Sequence, residues 1–295
     1  MSFAAASYIA STMTPPVQTF ARATQPFIKM NGLGNDFAVV QADAFEPTQN
    51  DVRAWANRES GIGFDQLISI SGNGGGEPQV RFWYSDGEEI GACGNGSRCV
   101  GWLLMEARGE HHAMFHTRER AIGATRAGDR LVTVDMGVPG LRWDQIPLAE
   151  EMDTRGIELQ VGPIDAPLFH TPGAVSMGNP HVVFFVDDAE AAPVKSVGPM
   201  IENHPLFPVG VNVGFCEVRS PDLIRLKVWE RGSGQTLACG TGACAAAVAA
   251  ARRGLTNRLV RVVMDGGELQ IDWRESDDHV LMTGPVEIEF TGVLL

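Results

Sequence analysis

Ala92-Cys93-Gly94-Asn95-Gly96 and Ala238-Cys239-Gly240-Thr241-Gly242 are two copies of one pattern, a cysteine followed by Gly-x-Gly, and each opens a segment that reads as a helix. Glycines at these positions keep side chains away from the backbone. The first amides of each helix are then open to an anion, and such a helix start also favours a thiolate. The pairing suggests one thiol for each face of a substrate carbon.

The duplication extends outward from the cysteines. Phe82-Trp83 and Val228-Trp229 fall at the same offset, as do the turns Asp86-Gly87 and Gly232-Ser233-Gly234. Gly34-Asn35 and Gly178-Asn179 form another matched pair, with a spacing of 179 − 35 = 144 beside 239 − 93 = 146 for the cysteines. The economical reading is two similar lobes.

After Cys93, Cys99 to Met105 is apolar nearly all round and closes at Gly109; after Cys239, Cys244 to Ala251 does the same and closes at Gly254. Helices of that kind are core helices. Strand-like segments surround them: Gln66 to Ser71, Gln79 to Tyr84, Leu131 to Met136, Val182 to Val186, Leu223 to Trp229, Leu259 to Met264, Glu268 to Trp273 and Val286 to Phe290. Asp51 to Glu59 reads as a further helix, and Gly72-Asn73-Gly74-Gly75-Gly76 as a flexible hairpin loop. The expected fold is α+β: two pseudo-symmetric lobes, each a mixed or antiparallel sheet curled around a central buried helix. Both helix starts would then meet at the cleft between the lobes.

The chain has 295 residues, 44% of them hydrophobic, which is enough for two buried cores. A formal net charge of −13 with no basic run argues against a nucleic-acid or anionic-membrane partner and leaves a small zwitterionic ligand compatible. Five cysteines, an odd number in a chain this long, point to a reducing compartment and a cytoplasmic location. No apolar run reaches the length of a membrane span. The stretch 1–25 lacks the basic and apolar parts of a signal peptide and reads as a disordered extension or an overlong start. The expected boundaries are 26–135 for the first lobe, 136–283 for the second, and 284–295 for a closing strand.

Several longer motifs occur in order along the chain: Lys29-Met30-Asn31-Gly32-Leu33-Gly34-Asn35-Asp36-Phe37, Gly61-Ile62-Gly63-Phe64-Asp65-Gln66, Met177-Gly178-Asn179-Pro180-His181, Val211-Asn212, and Trp229-Glu230-Arg231-Gly232-Ser233-Gly234-Gln235-Thr236. With the two cysteine turns, this set resembles the diaminopimelate epimerase family from about Phe27 to the C-terminus. The resemblance implies a cofactor-independent isomerase of lysine and peptidoglycan precursor synthesis that inverts one α carbon of LL-2,6-diaminopimelate to give the meso form. It implies a homodimer, and a last strand that returns to the first lobe. It makes Cys93 and Cys239 the acid/base pair, with Gly94, Asn95, Gly240 and Thr241 presenting amides to the reacting carboxylate. Asn35, Gln66, Asn179, Asn212, Glu230 and Arg231 would hold the rest of the substrate, and His181 would lie near the reacting centre. Tyr84 departs from the pattern, which usually has an asparagine there to grip the distal end of the substrate.

The chemistry suits these residues. Inversion needs a proton removed from one face and another delivered to the opposite face, and thiols near neutrality can exchange those roles. Two other readings stand beside this one. A proline or hydroxyproline racemase-like isomerase shares the two-cysteine logic, and a structural metal-binding module could be built from Cys93, Cys99, Cys239 and Cys244, although their spacing is poor for it. No metal or cofactor is expected.

Overall fold

The turn Leu33-Gly34 joins strands Gln25–Gly32 and Asn35–Gln41, with Gly32 opposite Asn35. Both turn residues are left-handed, at φ 64° and 80°. That is the hairpin turn whose twist matches its strands, and it sets Asn35 at the first position of the returning strand.

The computed structural model describes residues 17–20, 25–43, 46–72 and 76–294. The fold is α+β with two lobes, Met1–Val134 with Gly284–Leu295, and Asp135–Thr283. Each lobe runs through the same sequence of pairings. In the first, Asn35–Gln41 lies parallel to Gln66–Ser71, Gln66–Ser71 pairs antiparallel with Gln79–Tyr84, and Gln79–Tyr84 pairs antiparallel with the short strand Glu89–Ile90. The Cys93 helix, Gly94–Arg108, follows. His112–His116 then lies parallel to Gln79–Tyr84 and leads antiparallel through Ala121–Gly128 to Leu131–Asp135.

The second lobe repeats this order. Gly173–Ser176 and Pro180–Phe185 form the hairpin, and Pro180–Phe185 runs parallel to Asn212–Ser220. Leu223–Glu230 and Gly234–Thr236 follow antiparallel, then the Cys239 helix, Gly240–Arg252. Leu259–Met264 lies parallel to Leu223–Glu230 and turns back through Gly267–Trp273 to Val280–Pro285. Sequence duplication thus appears as duplicated topology.

Each sheet curls because its helix touches strands far apart in the ladder. The Cys93 helix meets Gln25–Gly32 as well as His112–His116 and Ala121–Gly128, and the Cys239 helix meets Gly173–Ser176 as well as Gly267–Trp273. Small residues permit the approach. A Cβ on Gly101 would run into the Ala124 methyl, and one on Gly173 would stand 3.1 Å from the Ala249 methyl. From Ala243 to Ala250 the second helix is wholly buried.

A second helix caps each lobe. Gln49–Ala56 begins with Thr48 and Asp51 in a reciprocal capping box, and buries Val52 and Trp55 against Leu67 and Trp83. Val194–Glu202 buries Val194, Val197, Gly198 and Ile201 along one face, against Phe184, Phe215 and Val213.

Within the stretch expected as a disordered extension, Val17–Phe20 forms a strand parallel to Glu287–Leu294; residues 1–16 and 21–24 lie outside the described residues, as do 73–75 of the glycine-rich loop. The described helix ends at Ala56 rather than Glu59. Residues 57–63 instead fold back over its end, with Ile62 and Gly63 donating to the Trp55 carbonyl. Among the described residues no helix is long and apolar enough to cross a membrane.

Candidate functional site

Cys93 and Cys239 have nearly the same backbone conformation, φ −137°, ψ 118° and φ −128°, ψ 111°, and each is the N-cap of its helix. In each, the sulfur accepts the amide three residues on, from Gly96 and from Gly242, at 3.4 Å. The cysteine carbonyl takes the fourth amide, from Ser97 or Ala243. The amides of Gly94 and Asn95, and of Gly240 and Thr241, are left as first-turn donors with no acceptor inside their helices. Gly96 is required by packing as well, since a Cβ there would stand 2.8 Å from the Phe82 ring.

In the first lobe the Cys93 sulfur donates to Asn35 Oδ1 at 3.8 Å, and Asn35 Nδ2 donates to Asp65 Oδ2 at 3.0 Å. Behind them Arg58 forks onto Asp36 through two 3.0 Å bonds and reaches Asp65 at 2.8 Å. Lys29, 4% exposed, joins Asp36 to Glu289. Burial pushes the Asp36 carboxyl up, but hydrogen bonds from Arg58 and Lys29 outweigh it and hold it well below the usual carboxylate range. Gln66 is buried, and its Oε1 has no hydrogen-bond partner among the described residues, an exception among buried polar groups. Tyr84 pairs directly opposite Gln66 on the neighbouring strand and is 38% exposed. Asn95 accepts from Arg98 at 3.0 Å.

In the second lobe a hydrogen-bonded chain leads to the other sulfur. His181 Nε2 lies 3.0 Å from Asn179 Oδ1, Asn179 Nδ2 donates to Thr241 Oγ1 at 3.3 Å, and Thr241 Oγ1 lies 3.6 Å from Cys239 Sγ. An amide oxygen cannot donate, so His181 carries its proton on Nε2. Burial, reinforced by the charge of Arg231, pushes His181 down to about 3. Burial pushes the Glu230 carboxyl up while the Thr236 hydroxyl pulls it back. Burial and the Glu230 carboxylate together push the Cys239 thiol well above the ordinary cysteine range, outweighing the Gly242 amide and reversing the lowering expected of a helix start.

Asn212 is engaged at both ends, donating to the Pro180 carbonyl at 2.9 Å and accepting from the Arg231 amide at 3.0 Å. One Nδ2 hydrogen remains for a ligand. Arg231 is exposed and donates to the Val209 carbonyl at 2.7 Å. Trp229 donates to Glu202 at 2.6 Å, and Glu202 also takes the Gly232 amide, so the helix Val194–Glu202 holds both sides of Glu230-Arg231.

The residues missed by sequence reading are Asp65, Arg98 and Glu202. Asp65 stands inside Gly61-Ile62-Gly63-Phe64-Asp65-Gln66, and its place beside Gln66 was the available signal. Cys99 and Cys216 are buried thiols that burial pushes up to about 12. Among the described residues no group of three or more His, Cys, Asp or Glu side chains is placed to hold a metal ion.

His181 should make the folded protein acid-sensitive. Its folded value lies below its unfolded value of 6.5, so between the two the unfolded chain binds the extra proton and stability rises with pH. Stability should therefore fall as pH drops below about 6.5, with a slope from this residue of at most ~1.4 kcal/mol per pH unit. Urea unfolding of wild type and His181→Gln across that window checks it: the variant should lose that part of the slope, and parallel curves would refute the assignment.

A family model described as diaminopimelate epimerase matches residues 27–141 and 173–289. Proteins named diaminopimelate epimerase from Caulobacter sp. (strain K31) and Phenylobacterium zucineum (strain HLK1) are each 59% identical to this chain, over 282 and 272 residues, and each match covers 92% of this chain and 98% of the relative. Among solved structures, a phenazine biosynthesis protein from Bacillus anthracis aligns with TM-score 0.65 at 12% identity, covering 93% of this chain and 100% of its own. A hydroxyproline epimerase from Agrobacterium vitis aligns with TM-score 0.63 at 14% identity, covering 92% and 91%. At those identities the two structures share the fold alone.

Proposed function

The chain belongs to the diaminopimelate epimerase family and is an amino-acid epimerase of lysine biosynthesis; from that premise we propose that Cys93 and Cys239 are its acid/base pair. The observation that carries this reading is the shared state of the two sulfurs: each caps its helix from an extended backbone and accepts the third amide at 3.4 Å.

One cysteine, as thiolate, takes the Cα proton of one amino-acid end and becomes a thiol. The other, as thiol, gives its proton to the opposite face and becomes the thiolate. Each is the base in one direction, so the enzyme returns to its starting state by exchanging protons with solvent. Charge that spreads into the carboxylate when the Cα proton leaves is met by the first-turn amides of Gly94, Asn95, Gly240 and Thr241. General acid/base transfer contributes ~10²- to 10⁴-fold, so these fixed donors and the exclusion of water must supply much of the rest. No cofactor is needed as an electron sink.

Gln66 Oε1 and Glu230 suit the ammonium groups, and Arg231 suits a carboxylate. Asn35, Asn179 and Asn212 complete the polar lining in this reading, with His181 fixing Asn179. The enzyme works as a homodimer in the cytoplasm, where five cysteines with none in a disulfide stay reduced; sedimentation of purified protein checks the dimer.

The test is proton exchange in deuterated solvent. LL-Diaminopimelate should gain deuterium at one α carbon while turning into the meso form, D- and L-proline should not exchange, and a chelator should change nothing. Exchange into proline, or loss of activity on chelation, would refute the reading.

Tyr84 bears on the distal grip. A phenol offers one hydroxyl where an asparagine offers both a donor and an acceptor, so Tyr84→Asn should lower KM for diaminopimelate by a factor corresponding to ~0.5–1.5 kcal/mol, with kcat little changed. A higher KM in the variant would mean that the tyrosine is an adapted part of the site.

A further inference from the structure

The duplicated asparagines differ in what holds them. Asn179 is fixed between His181 and Thr241, whereas Asn35 is fixed by a carboxylate. Asp65 Oδ2 accepts both from Asn35 Nδ2 at 3.0 Å and from the Asp36 amide at 3.1 Å, while Oδ1 accepts from Arg58. A carboxylate only accepts, so it selects the amide face of Asn35 and turns the carbonyl oxygen towards Cys93, 3.8 Å away. The Asp65 amide in turn donates to Asp36 Oδ1 at 2.8 Å, which locks the two aspartates together.

We propose that Asp65 is a positioning residue of the reaction: by orienting Asn35 it places an acceptor at the Cys93 sulfur, so that Cys93 carries its proton until the substrate ammonium claims that oxygen. A sulfur facing an acceptor is stabilised as thiol, and a sulfur facing the Asn35 NH₂ would be stabilised as thiolate. Asp65 thereby ties release of the Cys93 proton to the arrival of substrate. The proposal rests on Cys93 being a reacting thiol.

Other groups around Cys93 are fixed in place. Arg98 lies one turn further along the helix, hydrogen-bonded to Asn95 and buried. Cys99 is held as thiol by burial, the Glu119 side chain lies against Gly91, and Asp36, Arg58, Lys29 and Glu289 close the network behind Asn35. None of these contacts sets which end of the Asn35 amide faces the sulfur.

The experiment measures alkylation of Cys93 by iodoacetamide against pH, by mass of its peptide, together with kcat and KM. Asp65→Ala should move the Cys93 profile down by about half to one pH unit, the worth of one hydrogen bond, and should lower kcat more than it raises KM. Asp65→Asn should stay near wild type, because its oxygen can still accept from Asn35 while its nitrogen displaces the exposed Arg58. Arg58→Ala breaks the ion pair but leaves the Asn35 bond, so it should lower Tm without moving the profile. If Asp65→Ala fails to fold, Asp65→Ser, whose hydroxyl is too short to reach Asn35, takes its place. An unmoved profile in folded Asp65→Ala or Asp65→Ser overturns the proposal. The profile reads Cys93 whether or not it is catalytic, so failure of the two-thiol reading, seen as an active Cys93→Ala enzyme, is a separate outcome.

Discussion

Alanine at position 239 removes epimerisation while leaving the second lobe folded: kcat/KM for LL-diaminopimelate is expected to fall by on the order of 10³-fold or more, the upper range for loss of a positioned acid or base. The substitution suits its purpose. Cys239 is 4% exposed at the start of a helix whose other residues are mostly alanine, so the β carbon remains and only the sulfur is lost. The structural cost is one cap, the Gly242 amide that the sulfur accepted, about 1 kcal/mol. Cys93→Ala should match it in activity, and the double variant should be scarcely worse than either alone, because two groups that act as a unit are not additive. Circular dichroism and unfolding midpoints establish the fold, and deuterium exchange reads the chemistry. Appreciable turnover in either single variant would end the two-thiol account.

Gly61→Ala should be the most destabilising change of a single methyl in the first lobe. A Cβ there would lie 2.5 Å from the Ala54 carbonyl oxygen, 2.6 Å from that of Trp55 and 2.9 Å from that of Asn57. These atoms are backbone at a helix end and cannot turn aside as a side chain could. The Trp55 carbonyl already accepts from Ile62 and Gly63, and the Asn57 carbonyl accepts from Gly61 itself, so relief would break the wrap that satisfies the helix terminus. A cost of about 3 kcal/mol is expected, read as a lower urea midpoint at unchanged m-value. The displaced segment continues into Asp65 and Gln66, so residual activity at low temperature should show a raised KM. An unchanged midpoint would show that the segment can move without loss.

The features legible in the sequence were those written locally. Gly-x-Gly after each cysteine, the apolar helices behind them and the paired Gly-Asn turns are short-range signals, and the topology repeats as those signals repeat. Strands such as Gln66–Ser71, Gln79–Tyr84 and Leu259–Met264 were bounded by turn residues and fell where expected. Val194–Glu202 was not legible, because Gly198 and Pro199 sit inside it and each argues against a helix. Its buried positions at 194, 197, 198 and 201 carried the helical period that would have revealed it. Gly198 is there because a Cβ would strike the Trp229 ring, a constraint set by a residue far along the chain. Asp65 was hidden for a similar reason: its partner Asn35 is 30 positions away, and nothing in either neighbourhood states that they meet.

The closing strand fixes the order in which the protein can be finished during its own synthesis. Glu287–Leu294 lies between Val17–Phe20 and Gln25–Gly32, and Glu289 reaches Lys29 across 260 positions of chain. The second lobe is one unbroken stretch, Asp135–Thr283, so all of its strands leave the ribosome before the first lobe receives its last one. The part translated first is completed last. Until then Gln25–Gly32 offers an unpaired edge to any neighbouring chain. A frameshift in the final codons would therefore leave the Gln25–Gly32 edge unpaired for good, although the lesion lies far from Cys93 in the sequence.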